Sequence, residues 1–196
     1  MSFNGEIVAG SLLIRESRSV AELLLLGLDP KGVHERVSAD NSLQKRSPAT
    51  ARRQTNLILA RLQGLDKRFL TMIVSGSQEL TTQALFAAAI KHNRFLGDFV
   101  GKVVCAHWRT YKPALTKLDW NSFFEECAAI DPEITKWTET THAKIRQVVF
   151  RILAEANVIE STRSLRLIPF SLLPELKRLL RDNDEWYVLR CLEALS

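Results

Sequence analysis

The sequence has few residues that interrupt helices, with 8 glycines and 6 prolines among 196 residues. That scarcity argues against a many-turned β architecture and in favour of helices. Cysteine is scarce too. Cys105, Cys127 and Cys191 lie far apart and are odd in number. An oxidising compartment would leave one thiol unpaired, so a reducing cytoplasm with buried thiols is expected. Long apolar runs are missing: the most apolar stretch, residues 20–28, contains Glu22 and falls short of the roughly 20 residues a bilayer span needs. The start of the chain lacks a basic segment followed by an apolar stretch and a small-residue cleavage site. Neither a secretory leader nor membrane insertion is therefore expected.

Signatures of catalysis are absent as well. There is no Walker lysine loop, glycine-rich dinucleotide turn, His-Glu-x-x-His or nucleophile elbow. Cys105-x-His107 is a single pair without matching ligands. His34, His92 and His142 have no partners at metal spacing. Glu125-Glu126 and Asp131-x-Glu133 sit in an acidic helical stretch and read as solvated charge. The sequence predicts a non-enzymatic protein with no metal and no cofactor.

What is present is apolar bulk and patterned charge. Hydrophobic residues make up 46% and charged residues 25% of the chain, enough for a real core and a soluble surface. The net charge of +5 is unevenly spread. Residues 31–68 carry nine Lys/Arg against three Asp/Glu, and residues 91–118 carry six against one. Residues 119–143 reverse this with one against six, and residues 144–181 return to eight against three. Basic blocks separated by acidic ones read either as a polarised surface or as ordinary solvated faces.

Helix starts are well marked. Asp29-Pro30, Ser47-Pro48 and Asp131-Pro132 each pair an N-cap with proline at the first helical position. Ser75-x-x-Gln78 and Ser122-x-x-Glu125 have capping-box spacing. Helices are predicted near 5–14, 18–27, 30–38, 48–63, 66–74, 78–92, 94–110, 120–129, 132–138, 140–156, 172–181 and 184–194. Residues 69–74 have strand-like composition but are read as helix. Two short apolar arms, Val158-Ile159-Glu160 and Leu165-Arg166-Leu167-Ile168, flank a polar turn and read as a β-hairpin. Ser75-Gly76-Ser77 is the most linker-like tripeptide. The predicted fold is mainly α: an N-terminal helical module over residues 1–75 resembling a helix-turn-helix, and a C-terminal helical module over 76–196. The latter holds a winged-helix-like segment near 132–170 with the one hairpin.

Two basic helices carry the functional signal. On the helix after Ser47-Pro48, Ala51, Ile58, Leu62 and Leu65 gather on one side, and Arg52, Arg53 and Asn56 on the other beside Ala49 and Ala60. Lys45 and Arg46 precede it. A short helix, a turn, then a helix with Arg and Asn near its start is the order of a helix-turn-helix. Arginine suits guanine edges and phosphate, and asparagine suits adenine. The alternative is a solvated face of a bundle helix. In the helix at 140–156, Ile145, Val148, Val149, Ile152 and Ala156 keep core spacing. Lys144, Gln147 and Arg151 face away, with Arg146 at the flank. With Arg163 and Arg166 on the hairpin, this is the winged-helix order, which serves protein docking as well as DNA. Trp108 and Tyr111, within the run 106–112, read as core residues covered by Lys and Arg stems, the alternative being stacking on bases.

Gly10-Ser11-Leu12-Leu13, then Glu16-Ser17-Arg18 and Ala21, resemble the opening of the BrxA family. So does Asn41-x-Leu43-Gln44-x-Arg46-Ser47-x-x-Thr50-x-Arg52-Arg53, followed by Arg61-Leu62. BrxA proteins are small accessory components of BREX, the bacteriophage-exclusion defence systems. The resemblance is concentrated in residues 5–65. It implies a nearly all-helical DNA-binding protein, encoded beside a methyltransferase, a large ATPase and a phosphatase-like component, with no known catalytic residues. It carries a DNA-contact role to Arg46, Arg52 and Arg53. The partner expected is therefore double-stranded DNA. Docking to other BREX proteins and regulation of the defence operon stand as alternatives.

Overall fold

Local capping chemistry sets most of the helix starts in the computed structural model, which describes residues 6–195. Asp29 accepts from the Gly32 N–H at the start of α2 (Pro30–Asp40), and Ser47 from the Thr50 N–H at the start of α3 (Pro48–Leu62). These are the caps the proline pairs predict. α1 (Ile14–Leu25) precedes them. α4 (Lys67–Ser75) is helical, as its apolar face requires. Two predicted capping boxes give way to better neighbours. Ser77, not Ser75, caps α5 (Gln78–His92). Thr116 and Asp119 form the box that opens α8 (Lys117–Ile130), leaving Ser122 inside the helix.

Other boundaries also moved. Residues 6–9 form only a 3-10 turn, with residue 5 outside the described residues. The predicted helix over 94–110 is a rod with an inserted loop of wider pitch: α6 (Arg94–Asp98), a π-helical stretch (Phe99–Val104), then α7 (Cys105–Arg109). Residues 132–136 make a 3-10 turn capped by Asp131. α9 (Glu139–Glu155), α10 (Pro174–Asp182) and α11 (Trp186–Glu193) complete the chain.

α5 is the hub. Every residue from 81 to 90 is buried, and the alanines at 84, 87, 88 and 89 let neighbours approach closely. It packs against α1, α3 and α4 on one side and α6, α10 and α11 on the other. Its buried polar groups are satisfied. Thr81 Oγ1 donates to the Ile73 carbonyl and accepts from Arg18, while Gln83 pairs with the Ser171 carbonyl and the Leu173 N–H. A second focus is aromatic. Phe95, Phe99, Trp120, Phe123 and Phe150 meet edge to face beneath α8 and α9, geometry that adds to area burial.

Among the described residues no β-strand forms, so the expected hairpin is present only as isolated bridges. Ile159 and Leu167 form one isolated antiparallel bridge, and Ala114 and Arg166 another. Around them Glu160 N–H donates to the Arg166 carbonyl and Leu115 N–H to the Leu165 carbonyl. No helix among the described residues is long and apolar enough to cross a membrane.

Candidate nucleic-acid interface

α9 buries Ile145, Val148, Val149, Ile152 and Leu153, so its remaining face is fixed outward by core packing. Lys144, Gln147 and Arg151 are exposed on it. Lys144 Nζ donates to Gln147 Oε1 at 3.0 Å, one turn away. Beside this face runs a groove of about 340 Å³, lined by Lys117, Ala143, Arg146, Gln147, Phe150, Arg151, Thr162, Arg163 and Leu165. Four cations from three parts of the chain meet there, and no acidic side chain is among the lining residues.

Each wall has a local cause. Lys117 is the first residue of α8, held by the Thr116–Asp119 capping box. Burial raises the Asp119 carboxyl, but hydrogen bonds from Thr116 and the nearby His107 overcome this and hold it below the usual carboxylate range. The turn 161–164 is braced: Ser164 N–H donates to Ser161 Oγ at 3.1 Å and Ser164 Oγ to Glu160 at 3.0 Å. It places Arg163 across from α9. Arg166 is exposed but lies on the bridge to Ala114, outside the groove lining. Lys117 was not singled out from sequence. The signal available was the Thr116-x-x-Asp119 spacing, which fixes a lysine at a helix start.

The α3 residues sit differently. Arg46, Arg52, Arg53 and Asn56 are exposed, as are Ala49 and Ala60. Arg53, Asn56, Leu57 and Ala60 share a shallow depression of about 240 Å³ with Glu6, Val8 and Ala9. Lys45 is turned inward, its Nζ 2.5 Å from Glu16 Oε1. The aromatic run splits. Trp108 packs on the core, whereas Tyr111 is 93% exposed. The core reading fails for Tyr111 because α7 ends at Arg109 and a left-handed φ of 56° turns the chain outward.

Between the two helices lies the segment 6–13, held by buried polar contacts. Ser11 Oγ and Leu12 N–H both donate to the Glu155 carboxylate at the end of α9, at 2.7 and 2.8 Å. From α3, Arg61 donates to the Ser11 and Gly10 carbonyls. Burial pushes the Arg61 pKa down to about 10, opposed by Glu155. Beneath, His92 lies 3.1 Å from Glu6. Its pKa is lowered by burial and by Arg61, with Glu6 pulling the other way. Much of the motif at the chain's start is thus scaffold: Ser11, Glu16, Arg18 and Arg61 bind other parts of the protein. No cluster of His, Cys, Asp and Glu suited to a metal occurs among the described residues.

Comparison with known proteins gives a consistent result. The model of a family called BrxA matches residues 1–184. A relative from Paramagnetospirillum magneticum named "BREX protein BrxA" is 37% identical over 192 residues, covering 98% of this chain and 96% of the relative. One of the same name from Escherichia coli O9:H4 is 33% identical over 190 residues, covering 97% and 89%. A crystal structure described as an uncharacterized protein from Magnetospirillum magneticum superposes with a TM-score of 0.90 at 35% identity, covering 98% of both chains.

Proposed function

Because this chain belongs to the BrxA family, we propose that it is a non-enzymatic, DNA-binding component of a BREX (bacteriophage-exclusion) defence system. The carrying observation is the acid-free groove in which Lys117, Arg146, Arg151 and Arg163 converge beside Gln147. Cations from separate elements around one concavity displace counterions from a phosphate backbone, which makes binding strong and salt-dependent. Arginine and glutamine on the adjoining helix face are suited to base edges.

The order of elements supports a winged-helix reading. Ala114 precedes α8 and α9, and the arms 158–160 and 165–168 follow, with bridges joining Ala114 to Arg166 and Ile159 to Leu167. In that arrangement α9 enters the major groove while Arg163 and Arg166 decorate the wing. α2, the turn 41–47 and α3 keep helix-turn-helix order, so Arg46, Arg52, Arg53 and Asn56 join the interface. The test is titration onto a labelled duplex of random sequence at two salt concentrations. Salt-sensitive binding is the expected result, and absence of binding at the lower salt overturns the reading.

One observation favours a second role. The outer face of α8 exposes Leu118 and Ile130 at its ends and Glu125 and Glu126 between them. An apolar and acidic face suits docking to a larger BREX component. In that case, capture of the component should survive nuclease treatment.

A further inference from the structure

We infer that the groove running along the C-terminal half of α11 is a docking site for an extended, acidic and apolar segment of a partner protein. The inference is independent of the DNA-binding reading above, and no residue of this groove lines the α9 groove or the α3 depression.

Two concavities, of about 460 and about 400 Å³, adjoin here, because Arg109, Glu193 and Ala194 line both. The first lies between the π-helical stretch and α11. Its wall is open at Gly101, where an added Cβ would meet only the Cys191 thiol, at the ordinary contact distance of 3.5 Å. One turn earlier there is no such room, and a Cβ at Gly97 would strike the Tyr187 hydroxyl. A π-helical turn within an α-helical rod commonly marks a functional position, and here it sets Gly101 in the groove wall. Burial pushes the Cys191 thiol up to about 11, so it stays neutral and lines the groove as an apolar group. The second concavity has buried Phe170 and Leu195 in its lining, flanked by Trp108 and Pro169.

Charge and hydrogen bonding decide what fits. Arg94 is committed, pairing with Asp98 at 2.9 Å and stacking on the Tyr187 ring at 3.7 Å. The one carboxylate in the lining, Glu193, is held by Lys177 at 2.7 Å and Arg181 at 3.6 Å. Arg109 and Arg190 are exposed and have no ion-pair partner among the described residues. Two guanidiniums are therefore left to receive carboxylates, for which their planar fork is suited. Trp108 adds a buried Nε1–H without a partner, a donor that an entering carbonyl satisfies. A phosphodiester strand offers acceptors almost alone and meets repulsion at Glu193. A peptide brings carboxylates for the arginines, a carbonyl for the indole, an N–H for Glu193 and apolar side chains for Phe170 and Leu195.

The experiment selects binders to the full chain from a yeast-displayed library of random peptides. The selected peptides, labelled with fluorescein, are then titrated by anisotropy with wild type, Arg109→Ala/Arg190→Ala and Gly101→Leu. Both arginines are exposed, so their variant tests charge with the fold intact, whereas Gly101→Leu fills the groove and keeps its charge. The expected peptides combine Asp or Glu with apolar residues. The arginine variant should weaken them by roughly tenfold, and Gly101→Leu should abolish binding. The Trp108 indole N–H resonance, assigned with Trp108→Phe, should shift when peptide binds. Failure to select any peptide on wild type overturns the inference, as do selected peptides without acidic residues or affinities that the arginine variant leaves unchanged. A mixed-sequence single-stranded oligonucleotide whose binding that variant abolishes assigns the groove to nucleic acid. Self-association of wild type that Gly101→Leu dissolves assigns it to a second copy, and either result overturns the inference.

Discussion

α3 and α9 look alike as sequence and differ as surfaces. Both set an apolar stripe against an Arg-bearing one, and both begin at a side-chain cap. α9 gains Lys117 from α8 and Arg163 from the 161–164 turn, so its cations line a concavity. On α3, Arg53 edges a smaller depression that also holds Glu6, and Lys45 is withdrawn into its contact with Glu16. The difference teaches that charge on a helix becomes a groove only when other elements supply walls. Those walls come from α8 and from the turn after α9, whereas the depression beside α3 is completed by Glu6, Val8 and Ala9.

The largest effect should come from breaking what joins the two regions. Arg61→Ala removes the donors that hold the Gly10 and Ser11 carbonyls and leaves these acceptors unpaired, so a loss of about 2–4 kcal/mol is expected. The midpoint of denaturant unfolding measures it, and an unchanged midpoint would show that the segment 6–13 does not tie α3 to α9. Next in size, Arg151→Ala/Arg163→Ala should weaken DNA binding by roughly 10–100-fold at 0.1 M salt. Arg52→Ala/Arg53→Ala should cost less, about 3–10-fold, since Glu6 already offsets part of that stripe's charge. Equal losses would erase the distinction between the α9 groove and the α3 depression.

Acid tests the supports of both helices. His142, in the first turn of α9, accepts from Trp120 Nε1 at 2.7 Å, and burial, with Arg146 nearby, lowers its pKa. His92, beneath the α3 side, is lowered by burial and by Arg61. For a group whose folded pKa is depressed, the unfolded chain takes up the proton first. The stability it provides is therefore present above about pH 6.5 and is lost as pH falls below it. Unfolding midpoints should drop between pH 7.5 and pH 5, and His142→Gln and His92→Gln should each flatten part of that drop. The smallest effect is reserved for Lys45→Ala. With its ammonium committed to Glu16, DNA affinity should stay within about twofold, and a loss as large as that of Arg52→Ala/Arg53→Ala would return Lys45 to the interface.

Much of the helical layout was legible because its causes are local. Asp29, Ser47 and Asp131 cap the next few residues, and a polar side chain beside a proline shows this in the sequence. The exposed stripes of α3 and α9 were legible for the same reason, since the period of the apolar residues fixes which face turns outward. The first predicted helix failed where local pattern met a distant demand. Residues 10–12 are drawn out of helical geometry to serve Arg61 and Glu155, the latter 144 residues from Ser11. The family motif at Ser11, Glu16 and Arg18 serves as internal wiring. Sequence reports that a polar residue is present, not whether its partner is solvent, ligand or another helix.

The sequence by itself determined an α-rich chain, where most helices begin, which faces are basic, and its membership of a family. Those features depend on capping, periodicity and residue identity, all within a few residues of chain. Only the tertiary structure decided which charges meet. Lys117, Arg146, Arg151 and Arg163 share one groove, while Lys45 and Arg61 are spent on holding the fold together. The physical reason is that a site is a set of distances between remote residues, and core packing sets those distances.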